Sequence, residues 1–157
     1  TTLVVVKEDL LGKVSRKIPS MLDYQVHISK DRMFNTPSVF AVYTSMLTLE
    51  WLEEQGGVSA LEERNEKKAQ LLYSEIDLNP LFEGFAAPED RSYMNATFTL
   101  KIPELKDTFD ALWQEAGING LNGHRSVGGY RASLYNALPL ESVGVLVDVM
   151  SDLERRA

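Results

Sequence analysis

The stretch that most restricts how this chain can fold is Met33 to Leu49, seventeen consecutive residues without a charge. Ser38, Ala41, Thr44, Ser45 and Thr48 are interspersed there with Val39, Phe40, Val42, Tyr43, Met46 and Leu47. A surface helix shows a charged stripe. This one has none, so it calls for cover nearly all round, from its own domain and from another domain or subunit. Asn35-Thr36-Pro37 opens it, because Asn and Thr cap helices and Pro suits a first turn where its missing N–H is no loss. Such a start also offers free amides and the positive end of the helix dipole to an anion. Charge returns at Glu50, Glu53 and Glu54, and Gly56-Gly57 ends the element.

Upstream, Thr1 to Val6 is an unbroken, largely β-branched run, the pattern of a strand buried on both faces of a parallel sheet. A central strand needs neighbours, so the chain is expected to be the carboxy-terminal part of a longer protein. Lys7 to Gly12 reads as a turn of helix closed by glycine. Residues 13–34 read as irregular around Pro19, with a short extended piece at Tyr24 to Ile28. His27 has no partner at metal-binding spacing and is assigned no function.

Downstream, a helix is expected from Val58 to Ile76, with Leu61, Asn65, Ala69, Leu72 and Ile76 inward. Glu62, Glu63, Arg64, Glu66, Lys67 and Lys68 are expected on its solvated face. Residues 77–92 read as loop. Met94 to Ile102 reads as a strand alternating through Ala96, Phe98 and Leu100. Leu105 to Ala116 reads as a helix burying Phe109, Leu112 and Trp113 and stopped by Gly117. Pro139 starts a last helix with Val143, Leu146, Val147, Met150 and Leu153 at helical spacing. The fold class is α/β: the tail of a large parallel-sheet domain over residues 1–50, then a small carboxy-terminal α/β domain over 51–157.

Between the last two helices, Gly123-His124-Arg125-Ser126-Val127-Gly128-Gly129-Tyr130-Arg131-Ala132-Ser133-Leu134-Tyr135-Asn136-Ala137-Leu138-Pro139 concentrates positive charge in a chain whose net charge is −7. Arginine presents a rigid fork of donors to carboxylates and phosphates, and glycines let backbone N–H groups approach an oxyanion. The chemistry on offer is anion binding, continuing into a buried strand at Ala132 to Tyr135. The bland alternative is that Arg125 and Arg131 pair with carboxylates elsewhere. With 16 basic against 23 acidic side chains the chain lacks the basic face of a general nucleic-acid binder. It has no cysteine, hence no disulfide or thiolate chemistry. No apolar run is long enough for a membrane span and no signal peptide is evident, which points to a soluble, cytoplasmic protein.

The segment 123–139, Phe34-Asn35-Thr36-Pro37, Leu3 to Gly12 and Pro19 to Tyr24, in that arrangement, resemble the carboxy-terminal part of the phosphoserine aminotransferases, pyridoxal-phosphate enzymes of fold type I. The resemblance covers essentially the whole chain. It implies amino transfer between glutamate and 3-phosphohydroxypyruvate in serine biosynthesis, and in some bacteria also in pyridoxine synthesis. It further implies a homodimer with active sites at the subunit interface. By the same resemblance, Asn35 and Thr36 bind the phosphate of pyridoxal phosphate in the neighbouring subunit. Arg131 pairs with the substrate α-carboxylate, and His124 with Arg125 receive the substrate phosphate or the distal carboxylate of glutamate. Ser38 stands where many members have a second proline. The Schiff-base lysine is expected upstream of Thr1, so the chain contains no catalytic residue and is expected to be inactive alone. A noncatalytic anion-binding or regulatory α/β domain is the alternative. Another fold-type-I enzyme, such as a cysteine desulfurase, would lack the His124-Arg125 pair.

Overall fold

Residues 55–157 are organised by three antiparallel strands in sequential order, β1 (Phe82–Gly84), β2 (Asn95–Leu100) and β3 (Tyr130–Ser133), in a computed structural model that describes residues 1–125 and 128–157. Ser126 and Val127 of the glycine-rich motif lie outside the described residues. The register sets Phe98 opposite both Gly84 and Tyr130, and Ala96 opposite Ala132. Because side chains alternate along a strand, Phe82, Ala96, Phe98, Tyr130 and Ala132 share one face and are buried. Glu83, Asn95, Thr97, Thr99, Arg131 and Ser133 share the other, and none of them is buried.

Three helices complete the core, α3 (Gly57–Leu78), α4 (Lys106–Glu115) and α5 (Leu140–Arg156). The expected inner stripe of α3 is buried, as are Phe109, Leu112 and Trp113 of α4 and Val143, Leu146, Met150 and Leu153 of α5. Phe82 and Tyr130 both pack edge-on against Phe109, with ring centroids 5.2 and 4.9 Å away. Gly117, at φ 77°, lets the chain leave α4. Two expectations are corrected here. The loop at 77–92 contains β1, whose three residues are too few for their alternation to be read. The strand expected to run through Tyr135 stops at Ser133: Leu134 is buried, whereas Tyr135 is exposed.

Residues 1–54 form a separate unit with two helices, α1 (Tyr24–Ser29) and α2 (Val39–Glu54). Thr1 to Val6 forms no strand, since a strand persists only in a ladder and no described segment pairs with it. Tyr24 to Ile28 is helical, not extended, because the Asp23 carboxylate accepts the Gln25 N–H at 3.0 Å and caps the turn.

α2 starts at Val39, with the Ser38 carbonyl accepting the Val42 N–H at 3.0 Å, so Asn35 and Thr36 precede the helix instead of capping it. Pro37 explains the shift, since the residue before a proline is driven from helical to extended backbone. Within α2 the hydroxyls of Thr44, Ser45 and Thr48 bond back to the carbonyls four residues earlier, which satisfies them without a charged face. No α2 residue is buried, and Phe40 stands 79% exposed. Among the described residues no helix is long and apolar enough to cross a membrane.

A candidate anion site at the end of the small sheet

The glycine-rich loop is closed at its neck by backbone pairing. Gly123 N–H donates to Gly129 O at 2.8 Å, Gly128 N–H to His124 O at 2.8 Å, and Arg131 N–H to Leu121 O at 2.7 Å. Two glycines are required for this closure. A Cβ on Gly123 would sit 2.0 Å from the Gly128 carbonyl oxygen, and one on Gly129, at φ +62°, 2.7 Å from the Phe98 carbonyl oxygen.

Beyond the neck, β3 turns Arg131 onto the polar face of the sheet, opposite Thr97. Thr97, Thr99, Gly123, His124, Gly128 and Arg131 line one cleft of about 120 Å³. The structure therefore brings His124 and Arg131 together. Arg125 is exposed on the loop and does not line that cleft. Neither arginine is in an ion pair among the described residues.

Behind Arg131 the strand is held by two polar clusters. Tyr130 OH donates to Asp110 Oδ1 at 2.9 Å, and Trp113 Nε1 donates to the same oxygen at 3.0 Å. Lys106 pairs with the other carboxylate oxygen. Burial alone would raise the Asp110 carboxyl, but the donors of Lys106, Trp113 and Tyr130 hold it below the usual carboxylate range. Burial, reinforced by Asp110, pushes the Tyr130 phenol well up.

The second cluster overturns an expectation. Lys68, assigned to the solvated face of α3, is 0% exposed, and its Nζ donates to Leu134 O at 3.2 Å and Tyr135 O at 2.8 Å. Beside it Asn65 Nδ2 donates to Asn136 Oδ1 at 2.8 Å. Burial, with Arg64 adding to it, lowers the Lys68 ammonium below the usual lysine range. The signal was in the sequence, because 61, 65, 68, 72 and 76 keep helical spacing, but a lysine invites a solvent assignment.

In the first unit Asn35 lines a concavity with Thr2 to Val6, Tyr24, His27, Ile28 and Arg32. Its amide donates to Thr36 O at 3.3 Å. Asn35 and Thr36 are exposed immediately before the amino end of α2. An amide and a hydroxyl beside a helix start are a donor set suited to phosphate, although the Val39 N–H is already taken by Pro37 O at 3.0 Å. Arg32, whose backbone at φ 64° is fixed by its N–H bond to His27 O at 2.8 Å, is a basic neighbour that sequence reasoning missed.

The sequence profile of the Aminotransferase class-V family matches residues 1–146. The chain belongs to the class-V aminotransferases. It is 66% identical over 156 residues to the phosphoserine aminotransferase of Flavobacterium johnsoniae, covering 99% of this chain and 44% of that protein. The phosphoserine aminotransferase of Porphyromonas gingivalis is 53% identical over 157 residues, with the same shares covered. Among solved structures, phosphoserine aminotransferase from Bacillus circulans subsp. alkalophilus superposes with a TM-score of 0.87 at 40% identity, over 96% of this chain and 42% of that one. A PLP-bound phosphoserine aminotransferase from Trichomonas vaginalis gives a TM-score of 0.77 at 38% identity, over 88% of this chain and 40% of that one. The chain thus spans less than half the length of these class-V relatives. Its mixed α/β fold with a small antiparallel sheet agrees with theirs, and the resemblance read from residues 123–139 and 34–37 is borne out at the level of the family.

Proposed function

We propose that this chain is the carboxy-terminal part of a cytoplasmic phosphoserine aminotransferase, which moves an amino group between glutamate and 3-phosphohydroxypyruvate on the route to serine. The observation that carries the reading is Arg131, which stands on a polar sheet face without a carboxylate partner among the described residues and shares a cleft with His124 at a glycine-closed loop. A small molecule anionic at both ends matches that arrangement. Arg131 grips the α-carboxylate with two parallel N–H bonds, while His124 and Arg125 take the phosphate or the distal carboxylate.

Asn35 and Thr36 would hold the phosphate of pyridoxal phosphate belonging to a neighbouring subunit, a role their amide and hydroxyl donors fit. The cofactor, when bound, accepts and returns the amino group. This chain's residues bind and orient the substrate, and orientation of that kind accounts for several kcal/mol of a barrier. The exposed apolar length of α2 supports cover by a second body, and we assign it to a homodimer. On this reading the lysine that anchors the cofactor lies outside the chain, and the chain alone is inactive.

The test is substitution in the full-length enzyme. Losing a charge-assisted carboxylate grip costs about 1.5–3 kcal/mol, so Arg131→Ala raises the KM of both glutamate and phosphoserine by roughly 10- to 150-fold. Arg125→Ala raises them too but spares amino acids with a single carboxylate. Equal losses for every substrate in both variants would refute the division of roles.

A further inference from the structure

The half of the motif that follows Arg131, Leu134-Tyr135-Asn136, is not used by the reading above, yet it receives every bond that the buried polar groups Asn65 and Lys68 send across from α3. In a strand, successive carbonyls point to opposite sides. Here the carbonyls of Leu134 and Tyr135 both reach one ammonium, so the chain turns where β3 ends, and Lys68 closes the turn. Leu134 N–H is held at the same point by Met94 O at 2.8 Å, and Asn136 by Asn65.

A cation buried with carbonyl partners and in no ion pair among the described residues is a costly way to fill space. A leucine or methionine would fill the volume and leave the two carbonyls untethered. Asn65 keeps its place although its own Oδ1 is buried without a partner among the described residues. Arg131 lies three residues before this clasp, on a strand only four residues long; its own N–H is tied to Leu121 O at 2.7 Å, and it pairs with Thr97 of β2. The bond to Leu121 and the clasp at 134–135 thus bracket the short strand that carries the arginine.

We propose that Lys68, assisted by Asn65, is the positioning residue that fixes the exit of β3 and thereby the aim of Arg131 at a substrate carboxylate. This rests on the substrate-binding role of Arg131 argued above. Lys68 touches no substrate; it acts through the backbone of Leu134 and Tyr135.

The experiment is a double-mutant cycle in the full-length, cofactor-loaded enzyme, with glutamate as the varied substrate and thermal unfolding recorded for each variant. Lys68→Met raises the glutamate KM by roughly tenfold with kcat changed by less than about threefold, and adds less than about twofold when Arg131 is already Ala. Asn136→Ala, at the exposed end of the clasp, strands one buried donor and lowers the unfolding midpoint modestly while the variant still folds; it raises KM by roughly two- to fivefold and likewise adds nothing over Arg131→Ala. Should Lys68→Met fail to fold, the Asn136 cycle decides alone. A wild-type KM in the folded variants, or the same factor with and without Arg131, overturns the proposal. If Arg131→Ala itself leaves KM unchanged, the substrate reading falls and takes this inference with it. If Arg131→Ala raises KM and the clasp variants do not, only this inference falls.

Discussion

Asp110 gives the most direct measure of what holds the site-bearing strand to the core. Its carboxylate accepts from Tyr130 OH and Trp113 Nε1, both on core residues, and pairs with Lys106 near the surface. Asp110→Ala leaves two buried donors without an acceptor. Each such group costs about 1–3 kcal/mol, and because the Asp110 side chain retains some solvent access the pair is placed at about 2–4 kcal/mol. Asp110→Asn keeps one acceptor oxygen for both donors but loses the charge and with it the exposed pair with Lys106, about 0.5–1.5 kcal/mol. Tyr130→Phe removes one donor while the carboxylate keeps its others, again about 0.5–1.5 kcal/mol. Lys106→Ala changes little, since its pair is exposed. Urea denaturation followed by tryptophan fluorescence and far-UV circular dichroism gives the series directly. Equal losses for the Ala and Asn variants, or a larger loss for Lys106→Ala than for Asp110→Asn, would refute the account of Asp110 as an acceptor hub.

Asp77, held low chiefly by the Arg91 fork at 2.6 and 2.7 Å, and Asp110 both lie below their unfolded value in the folded state. Their contribution is complete above the unfolded carboxylate value near 3.9 and is lost as pH falls through the lower folded values. In melting curves against pH, the gap between wild type and Asp110→Asn should therefore be full at neutral pH and close in acid; a gap that stays constant would sink the assignment. Gly123→Ala forces apart a neck in which the new Cβ would lie 2.0 Å from Gly128 O. It should weaken glutamate binding in the full-length enzyme while leaving urea denaturation within about 1 kcal/mol of wild type, as befits a local opening. Wild-type affinity in that variant would show that the closed neck is dispensable.

Part of the candidate site is legible in the sequence itself. Arg131 and His124 stand out by chemistry and by the glycines between them, and the structure sets both on one cleft. What could not be read was the cleft's other wall. Thr97 and Thr99 lie more than thirty residues away and meet Arg131 only through strand register. Lys68 was misplaced for a related reason: its partners are backbone carbonyls sixty-six and sixty-seven residues along, which no local pattern encodes.

Side-chain periodicity alone determined α3, α4, α5 and β2, together with the faces on which Leu72, Phe109, Met150 and Phe98 are buried, because amphipathic spacing is a property of neighbouring residues. Gly117 and Pro139 marked helix ends for equally local reasons, freedom at positive φ and a ring that cannot continue a ladder. Only the tertiary structure decided that three residues at Phe82 make a strand, that Asn35 and Thr36 precede α2, and that a lysine is buried. Each of these depends on whether a distant or sterically constrained partner is present for a backbone group or a charge. Hydrogen bonds between remote segments are settled by where the folded chain brings them, and sequence spacing does not record that.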